Sequence, residues 1–329
     1  MIDLASRALG GTVMWASDEF FAGAESLITT APAGHDPSAY HPRGKVYDGW
    51  ETRRHSPGSD AVVVRLAAPG VVREVVVDTA YFTGNFPPFA SVEGTCVLGY
   101  PAADELTEWT PLVPRSPLTG DAANVLRVDR PERLVTHVRL TIYPDGGVAR
   151  LRVHGDVVPD PRWLGGRVDL AALLNGGRIA DCSNMFYASP ANVLAPGRAA
   201  VMSDGWETAR RRDDGNDWLI VELAAPGVLH DAVIDTSRFV GNAPTAASLT
   251  DADTGAELLP RTSLRADTEH RFRLTASSAV QRVRLDVYPD GGVSRLRLHG
   301  TVADAAREPI IQRWHDLLPP NHPAELYFD

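Results

Sequence analysis

The chain is a tandem repeat, and this feature limits its possible folds more than any other. Three blocks recur in the same order, namely DGWET at 48–52 and 204–208, LAAPGV at 66–71 and 223–228, and YPDGG at 143–147 and 288–292. The offset between matched blocks is 156, then 157 and then 145 residues, so insertions and deletions fall between the blocks, in loops. Collinear matches of this length indicate an internal duplication.

The length agrees with two copies, because 329 residues correspond to roughly two domains of about 150 residues each. We predict a first repeat at 1–158, a linker at 159–176, a second repeat at 177–306 and a tail at 307–329. The linker is Pro-rich and is expected to hold one short helix, Val168 to Leu174, ended by Asn-Gly-Gly. The tail is expected to be a surface segment or an arm packed on a neighbour.

Within each copy the local pattern is typical of β-strands. Ala61–Leu66 and Val72–Asp78 are rich in β-branched residues and are separated by the turn signal Ala-Pro-Gly. His137–Tyr143 alternates between apolar and polar residues, and Gln281–Tyr288 alternates in the same way. Several short strands in each copy predict an all-β protein built from two tandem jelly-roll β-sandwiches.

Composition excludes several classes of protein. With 44% hydrophobic and 22% charged residues the chain is globular, and no run of 18 apolar residues could form a membrane helix. A net charge of -10 argues against nucleic acid as a partner. Cys96 and Cys182 are too few for a disulfide scaffold or a zinc knuckle. No secretory signal is visible at the N-terminus, so we expect a cytoplasmic location, and we also expect a homo-oligomer.

Four motifs of the chain together resemble the allantoicase family, namely ASDEFFAGAESLI (16–28), GKVYDGWETRRH (44–55), VDTAYFTGNFPP (77–88) and YPDGGVARLRVHG (143–155). The resemblance extends over both repeats. It implies a tandem jelly roll related to galactose-binding-like domains. It also implies a hydrolase that converts allantoate to ureidoglycolate and urea in purine catabolism. Two positions depart from the family pattern, since Ala61 replaces a tryptophan and Gly23 replaces a proline.

The implied reaction sets chemical requirements. Allantoate is a carboxylate with two ureido groups on one carbon, and release of urea breaks the C–N bond at that carbon. A cation, preferably arginine, must bind the carboxylate, an acid must protonate the departing nitrogen, and a base must activate water. No Gly-rich phosphate loop is present, so we expect no nucleotide-type cofactor. Metal dependence stays open, because His35 and His41 fit no standard ligand spacing.

The segment Asp48–His55 has the highest density of chemical groups and lies in a loop before a strand. We interpret Arg53 or Arg54 as the carboxylate ligand, Glu51 or Asp48 as the base, and His55 as an acid or an orienting group. The alternative is a scaffold role, because the second copy repeats part of the motif. We expect the two repeated tryptophans, Trp50 and Trp206, to pack under this loop.

Asp18 and Glu19 form a second acidic cluster, and their counterparts are Asn184 and Met185. This difference favours the first copy as the catalytic half, although the two carboxylates could equally be a solvated pair. Further candidates for substrate binding are the loop residues Asn85, Arg115, Glu207, Arg210 and Arg261. Asn85 could instead serve a turn, and the arginines could be ion-paired.

Two other functions are compatible with the same sequence. Jelly rolls of this kind often bind carbohydrates or other small ligands without catalysis, and a hydrolase could act on a related ureido acid such as ureidoglycolate. A carbohydrate module would be expected to expose a planar aromatic platform. The first copy instead concentrates acidic and basic residues in one loop. This favours an enzyme with a small-molecule substrate, and neither a nucleic acid nor a membrane as partner.

Overall fold

In a computed structural model of the chain, residues 1–55, 57–275 and 278–320 are described. They divide into two compact units. Of the described residues, the first contains 1–158 and 317–320, and the second contains 159–316. Each unit contains one eight-stranded antiparallel sheet, and the order of paired strands is the same in both. The prediction of an all-β tandem repeat is therefore confirmed.

Twelve strands belong to the first unit. They are β1 (Ile2–Asp3), β2 (Thr12–Ala16), β3 (Tyr40–His41), β4 (Gly44–Lys45), β5 (Trp50–Glu51), β6 (Asp60–Asp78), β7 (Phe89–Thr95), β8 (Thr110–Pro117), β9 (Ala123–Arg127), β10 (Val135–Tyr143), β11 (Gly147–Val148) and β12 (Arg150–Val157). Short 3-10 turns lie at Arg7–Leu9, Ala24–Ile28 and Ala103–Glu105.

Ten strands and one helix follow. They are β13 (Arg167–Asp169), β14 (Arg178–Cys182), β15 (Trp206–Glu207), β16 (Asp217–Asp235), β17 (Ala246–Asp251), β18 (Glu257–Ser263), β19 (Glu269–Arg273), β20 (Val280–Tyr288), β21 (Gly292–Val293), β22 (Arg295–Val302) and α1 (Asp304–Leu317). Short 3-10 turns lie at Pro161–Trp163, Leu173–Asn175, Pro190–Leu194 and Met202–Asp204.

The long strand β6 explains the sandwich. Its first half pairs with β10, with Val64 opposite Val138, and its second half pairs with β12, with Val75 opposite Val153. The register changes near Gly70, where the Ala-Pro-Gly segment turns the strand from one layer into the other. Apolar residues from both halves of β6 belong to one buried core. The alternating pattern of the sequence is thus used to fill the space between two layers.

The same arrangement gathers several loops at one end of the sandwich. Asp60 at the start of β6 lies opposite Ile142, and Asp78 at its end lies opposite Arg150. Both ends of β6 therefore flank the loop that joins β10 to β12. The loops before and after β6 meet there as well. A further motif, Phe-x-Gly-Asn, recurs at 82–85 and 239–242. The loops with DGWET, Phe-x-Gly-Asn and YPDGG consequently lie together.

The predicted linker helix, Val168 to Leu174, is wrong. Val168 lies in β13, which pairs with β22 as β1 pairs with β12, and only Leu173–Asn175 forms a 3-10 turn. The sequence contains the signal for this, because Ile2-Asp3-Leu4-Ala5 recurs as Val168-Asp169-Leu170-Ala171. The second repeat therefore begins inside the predicted linker.

The tail predicted from residue 307 begins inside α1, so its first residues, up to Leu317, are helical. Ile310 and Ile311 of this helix line a cavity together with Leu164 and Val302, and Trp314 is fully buried. The helix is thus packed through its apolar side chains. No helix among the described residues is long and apolar enough to cross a membrane. Residues 321–329 of the predicted tail lie outside the described residues.

Gly147 tests how strictly the loop packing is required. A Cβ atom at this position would lie 2.0 Å from the ring of Phe82, which is fully buried and cannot move aside. We expect Gly147→Ala to destabilise the protein by about 2 kcal/mol through overpacking. A fall in the midpoint of urea unfolding measures this effect.

Gly165→Ala provides the matched control, because a Cβ atom there would meet nothing within 4 Å. Its unfolding midpoint should stay close to that of the wild type. Equal midpoints for Gly147→Ala and the wild type would show that Phe82 does not fix this loop.

Candidate active site

The loop between β10 and β12 connects the residues of the candidate site. After the cis peptide bond between Tyr143 and Pro144, the Asp145 carboxylate accepts a 2.9 Å hydrogen bond from the backbone amide of His55. The Gly146 carbonyl accepts the amide of Thr52 at 3.1 Å, and the Gly147 amide donates to the carbonyl of Asn85 at 2.7 Å. The loop therefore holds the DGWET segment on one side and the Asn85 loop on the other.

Glu51 is the carboxyl group at the centre of this arrangement. Its residue is only 4% exposed, and its Oε1 accepts a hydrogen bond from the Asn85 side chain at 2.7 Å. Burial raises the pKa of Glu51, and the bond from Asn85 together with the nearby charge of Arg54 partly offsets this increase. A carboxyl group with a raised pKa keeps its proton to higher pH than an exposed one, which suits a role in general acid–base catalysis.

Arg53 and Arg54 lie at the rim of the site. The Arg53 guanidinium stacks over the ring of Phe20 at 4.3 Å, and its Nε is 3.9 Å from Asp18. An Arg54 guanidinium nitrogen lies 3.8 Å from Oε1 of Glu51, too far for a strong hydrogen bond. Both side chains are more than half exposed, so they can turn toward an anion from solvent.

Asp48 has a different environment from Glu51. Its carboxylate forms a 2.7 Å ion pair with Arg150, which is 2% exposed, and it accepts the amide of Gly34 at 2.8 Å. The hydrogen bond from Arg150 lowers the pKa of Asp48. Both bonds tie Asp48 to the surrounding loops, so this side chain is placed to stabilise the site.

The Asp18 and Glu19 carboxylates also bind backbone groups. Oδ1 of Asp18 accepts the amides of Phe20 at 2.9 Å and Arg53 at 2.7 Å. In the second repeat Oδ1 of Asn184 makes the matching bonds without a charge. Oε1 of Glu19 accepts the amide of Ala24 at 2.7 Å. The structure therefore gives both carboxylates a role in fixing the loops.

Arg115 and His55 complete the first-repeat candidates. The Arg115 guanidinium stacks on the rings of Phe89 at 4.7 Å and Tyr143 at 4.5 Å, and its side chain is exposed. His55 is exposed and has a positive φ of 60°, with its amide fixed by Asp145. Both residues thus contact the loop that also holds Glu51.

The second repeat preserves part of this site. Oε1 of Glu207 accepts a 2.5 Å hydrogen bond from Asn242, and the Arg261 guanidinium lies 4.0 Å from the ring centre of Tyr288. Arg210, which follows Glu207 in the same motif, is exposed. Arg211, at the position of His55, forms a 2.9 Å ion pair with the buried Asp217. The carboxyl–amide pair is thus common to both repeats, whereas the groups around it differ.

Trp50 and Trp206 pack beneath the DGWET segments, as the sequence predicts. Both are fully buried, and each indole donates a 2.7 Å hydrogen bond to the backbone carbonyl of Asp18 or Asn184. Within the described part of the chain, no group of three or more His, Cys, Asp or Glu side chains could hold a metal ion.

Two groups were not among the sequence candidates. Arg150 was overlooked because it follows YPDGG inside a strand, although Arg295 repeats it in the second copy. Lys45 is the single lysine of the chain, beside 31 arginines, and belongs to no motif that predicts a role for it. Its position two residues before the Tyr47–Asp48 pair was the available signal.

Comparison with known proteins identifies related sequences over nearly the whole chain. The family model for the allantoicase repeat matches residues 2–158 and 168–303. A probable allantoicase from Nocardia farcinica is 56% identical, with 91% of this chain and 93% of the relative covered. A probable allantoicase from Streptomyces avermitilis is 46% identical, with 96% and 89% covered.

Solved structures agree with these sequence matches. The crystal structure of allantoicase from Saccharomyces cerevisiae has a TM-score of 0.79 and 33% sequence identity to this chain. The similarity covers 91% of this chain and 92% of the yeast chain. A second allantoicase structure has the same TM-score and 34% identity.

The ion pair between Asp48 and Arg150 leads to a pH-dependent prediction. We expect Asp48→Asn to destabilise the protein by about 1 kcal/mol at neutral pH, because the buried arginine loses its ionic partner but keeps its bonds to carbonyls. Since the pKa of Asp48 is lowered in the folded state, its contribution is present above the ordinary pKa of aspartate and is lost as pH falls below it.

Unfolding midpoints of the wild type and Asp48→Asn, measured from pH 7 to pH 3, test this expectation. The difference between the two curves should shrink as the pH falls below the ordinary pKa of aspartate. A difference that stays constant over this range would contradict the role of the ion pair.

Proposed function

This chain belongs to the allantoicase family, which hydrolyses allantoate to ureidoglycolate and urea, and we propose that Glu51 of the first repeat is its acid–base residue. The chain is accordingly a hydrolase of allantoate in purine degradation. The observation that supports Glu51 is its combination of burial, a raised pKa and a single fixed hydrogen bond from Asn85. None of the other acidic candidates in this loop combines these properties.

The reaction replaces one ureido group on the central carbon of allantoate by a hydroxyl group. Glu51 in its protonated form donates a proton to the departing ureido nitrogen, and the C–N bond breaks with release of urea. The lone pair of the remaining ureido nitrogen stabilises the electron-poor carbon. Water then adds to this carbon, and the Glu51 carboxylate takes its proton, so that one water molecule enters and one urea leaves.

The hydrogen bond from Asn85 gives the two carboxyl oxygens of Glu51 different roles. Oε1 is held by Asn85, so Oε2 remains for the proton that is transferred. The side-chain carbonyl of Asn85 can in turn accept a hydrogen bond from a ureido N–H. Asn85 would thus orient both the catalytic group and the substrate.

Arginine at the rim supplies the charge for the substrate carboxylate. Arg54 is nearest to Glu51, and its exposed guanidinium can bind a carboxylate through two parallel hydrogen bonds. Arg115 is held flat by two aromatic rings, which orients its N–H groups at low entropic cost. Arg53 extends the same positive rim, and His55 remains the candidate for a second acid.

We also propose a cytoplasmic location and a homo-oligomeric state for this enzyme. Cys96 and Cys182 are not joined to each other by a disulfide, which suits a reducing compartment. Light scattering of the purified protein measures the oligomeric state directly.

Substitution of Glu51 tests the acid–base assignment. We expect Glu51→Gln to lower kcat for urea release from allantoate by at least about 100-fold, because the amide cannot donate or accept the proton. Its shape and its contact with Asn85 can be preserved, so the fold should remain intact. Urea release and a circular dichroism spectrum of the same sample measure both properties.

Glu207→Gln is the matched variant in the second repeat, where Asn242 makes the same hydrogen bond. We expect it to retain most of the wild-type rate. If Glu207→Gln were inactive and Glu51→Gln active, catalysis would lie in the second repeat. Absence of urea release by folded wild-type protein would contradict the function itself.

Asn85→Ala tests the same assignment through pH. The bond from Asn85 lowers the pKa of Glu51, so its removal should raise that pKa further. The limb of the kcat/KM profile that reports Glu51 should therefore move to higher pH. Asn242→Ala should leave the profile in place, and a profile unchanged by Asn85→Ala would assign that limb to another group.

A further inference from the structure

The first repeat contains a hairpin that has no counterpart among the described residues of the second repeat. The 3-10 turn Ala24–Ile28 matches Pro190–Leu194 at an offset of 166 residues, but Asp48 matches Asp204 at an offset of 156. The first repeat therefore has ten additional residues between these points. They accommodate the two short strands β3 and β4, whose last residue is Lys45. An insertion beside the candidate site of only one repeat distinguishes the two halves functionally.

Lys45 is held in a defined position at the end of this hairpin. Its Nζ lies 3.3 Å from Nε2 of His35 and 5.5 Å from the ring centre of Tyr47. The side chain is half-buried. Among the residues described, no carboxylate lies within 4 Å of its ammonium group. Lys45 thus presents a fixed positive charge that lacks an internal counter-ion.

Aromatic stacking connects Lys45 with the site around Glu51. His35 lies between the rings of Tyr47 at 5.9 Å and Tyr81 at 5.0 Å, both nearly parallel to it. Tyr47 in turn stacks on the buried Phe82 at 4.8 Å. The segment from Tyr81 leads directly to Asn85, which binds Glu51. Lys45 is thus linked through His35 to one end of the segment 81–85, and Glu51 is linked through Asn85 to its other end.

The second repeat keeps the frame but has different side chains. Lys45 is replaced by Val201, Tyr47 by Ser203 and Tyr81 by Arg238. Tyr81 and Arg238 share the same left-handed backbone, with φ of 67° and 73°. The backbone conformation is thus part of the common scaffold, and only the first repeat uses it to build an aromatic cradle for a cation.

From these observations we propose that Lys45 binds the carboxylate of the substrate and makes the first repeat the higher-affinity site. This inference rests on the proposed function, because it adds a residue to the same site. A lysine ammonium is a compact point charge with three donors, which suits it to bind one oxygen of a carboxylate.

Kinetics of Lys45→Met provide the first test. We expect KM for allantoate to increase by about 10-fold or more, since a charge-assisted hydrogen bond to the bound anion is lost, while kcat changes much less. Lys45→Arg retains the charge and should give an intermediate KM. The control Val201→Met alters the matched position of the second repeat and should leave both constants unchanged. An unchanged KM in folded Lys45→Met would overturn the proposal.

Chemical modification provides a second test that requires no substitution of Lys45. Because Lys45 is the single lysine, reductive methylation modifies only its amine and that of the N-terminus, and mass spectrometry separates the two sites. In the Glu51→Gln variant, allantoate should slow modification of Lys45 with a concentration dependence like that of binding, and the N-terminal amine should serve as the internal reference. Equal rates at Lys45 with and without saturating allantoate would exclude the proposed contact.

The two levels of the hypothesis can fail separately. Wild-type protein that releases no urea, but whose Lys45 is protected by allantoate, would contradict the proposed hydrolysis and support the binding site. Wild-type protein that releases urea, but whose Lys45 is not protected, would retain the function and refute the role of Lys45. If Lys45→Met does not fold, the modification experiment alone decides.

Discussion

The packing of one phenylalanine ring against glycine backbone holds the functional end of each repeat together. A Cβ atom on Gly49 would lie 2.9 Å from the Phe82 ring and one on Gly147 only 2.0 Å from it, so both loops can approach the ring only as glycine. Phe239 makes the same approach to Gly205 and Gly292. The three recurrent motifs are thus one structural unit, because DGWET and YPDGG pack on the ring that Phe-x-Gly-Asn supplies. Close packing of this kind leaves little freedom for the Glu51–Asn85 pair.

Duplication separates what the fold requires from what the chemistry requires. The ring, its glycines, the buried tryptophan and the carboxyl–amide pair occur in both repeats. The hairpin with Lys45, the arginine stacked on Phe20 and the histidine at position 55 occur only in the first. Asp18 illustrates the same principle, since Asn184 makes its two backbone bonds without a charge. A side chain that the second repeat replaces by a different chemistry is therefore a candidate for what distinguishes the two halves, whereas the carboxyl–amide pair is common to both.

The duplication, the strands and the loops that meet could be predicted from the sequence, because they follow from the local periodicity of apolar residues and from repeated motifs. The sequence was insufficient for the strand at Arg167–Asp169, whose short apolar pattern suits a helix equally well until its partner β22 is known. It was also insufficient for Asp48, since the ion pair with Arg150 joins residues that are 102 positions apart. In the sequence, Glu51 and Asp48 are two acidic residues of one motif, and nothing in the motif distinguishes their roles. Only burial beside Asn85 in one case and a buried arginine in the other gives them opposite pKa shifts.

An acidic protein can bind an anionic substrate when positive charge is concentrated at the site. The net charge of -10 is spread over a surface much wider than the Debye length, which is about 8 Å at physiological salt, so the nearest charges dominate. Arg53, Arg54 and Arg115, together with Lys45, are the proposed members of such a group. Once the carboxylate binds, its charge opposes ionisation of Glu51 and raises the pKa of that group further, while the cations limit this effect. Substrate binding would thereby favour the protonated form of Glu51, which is the form that the departing ureido nitrogen needs. The carboxylate by which the substrate is selected would then also help to prepare the acid that cleaves it.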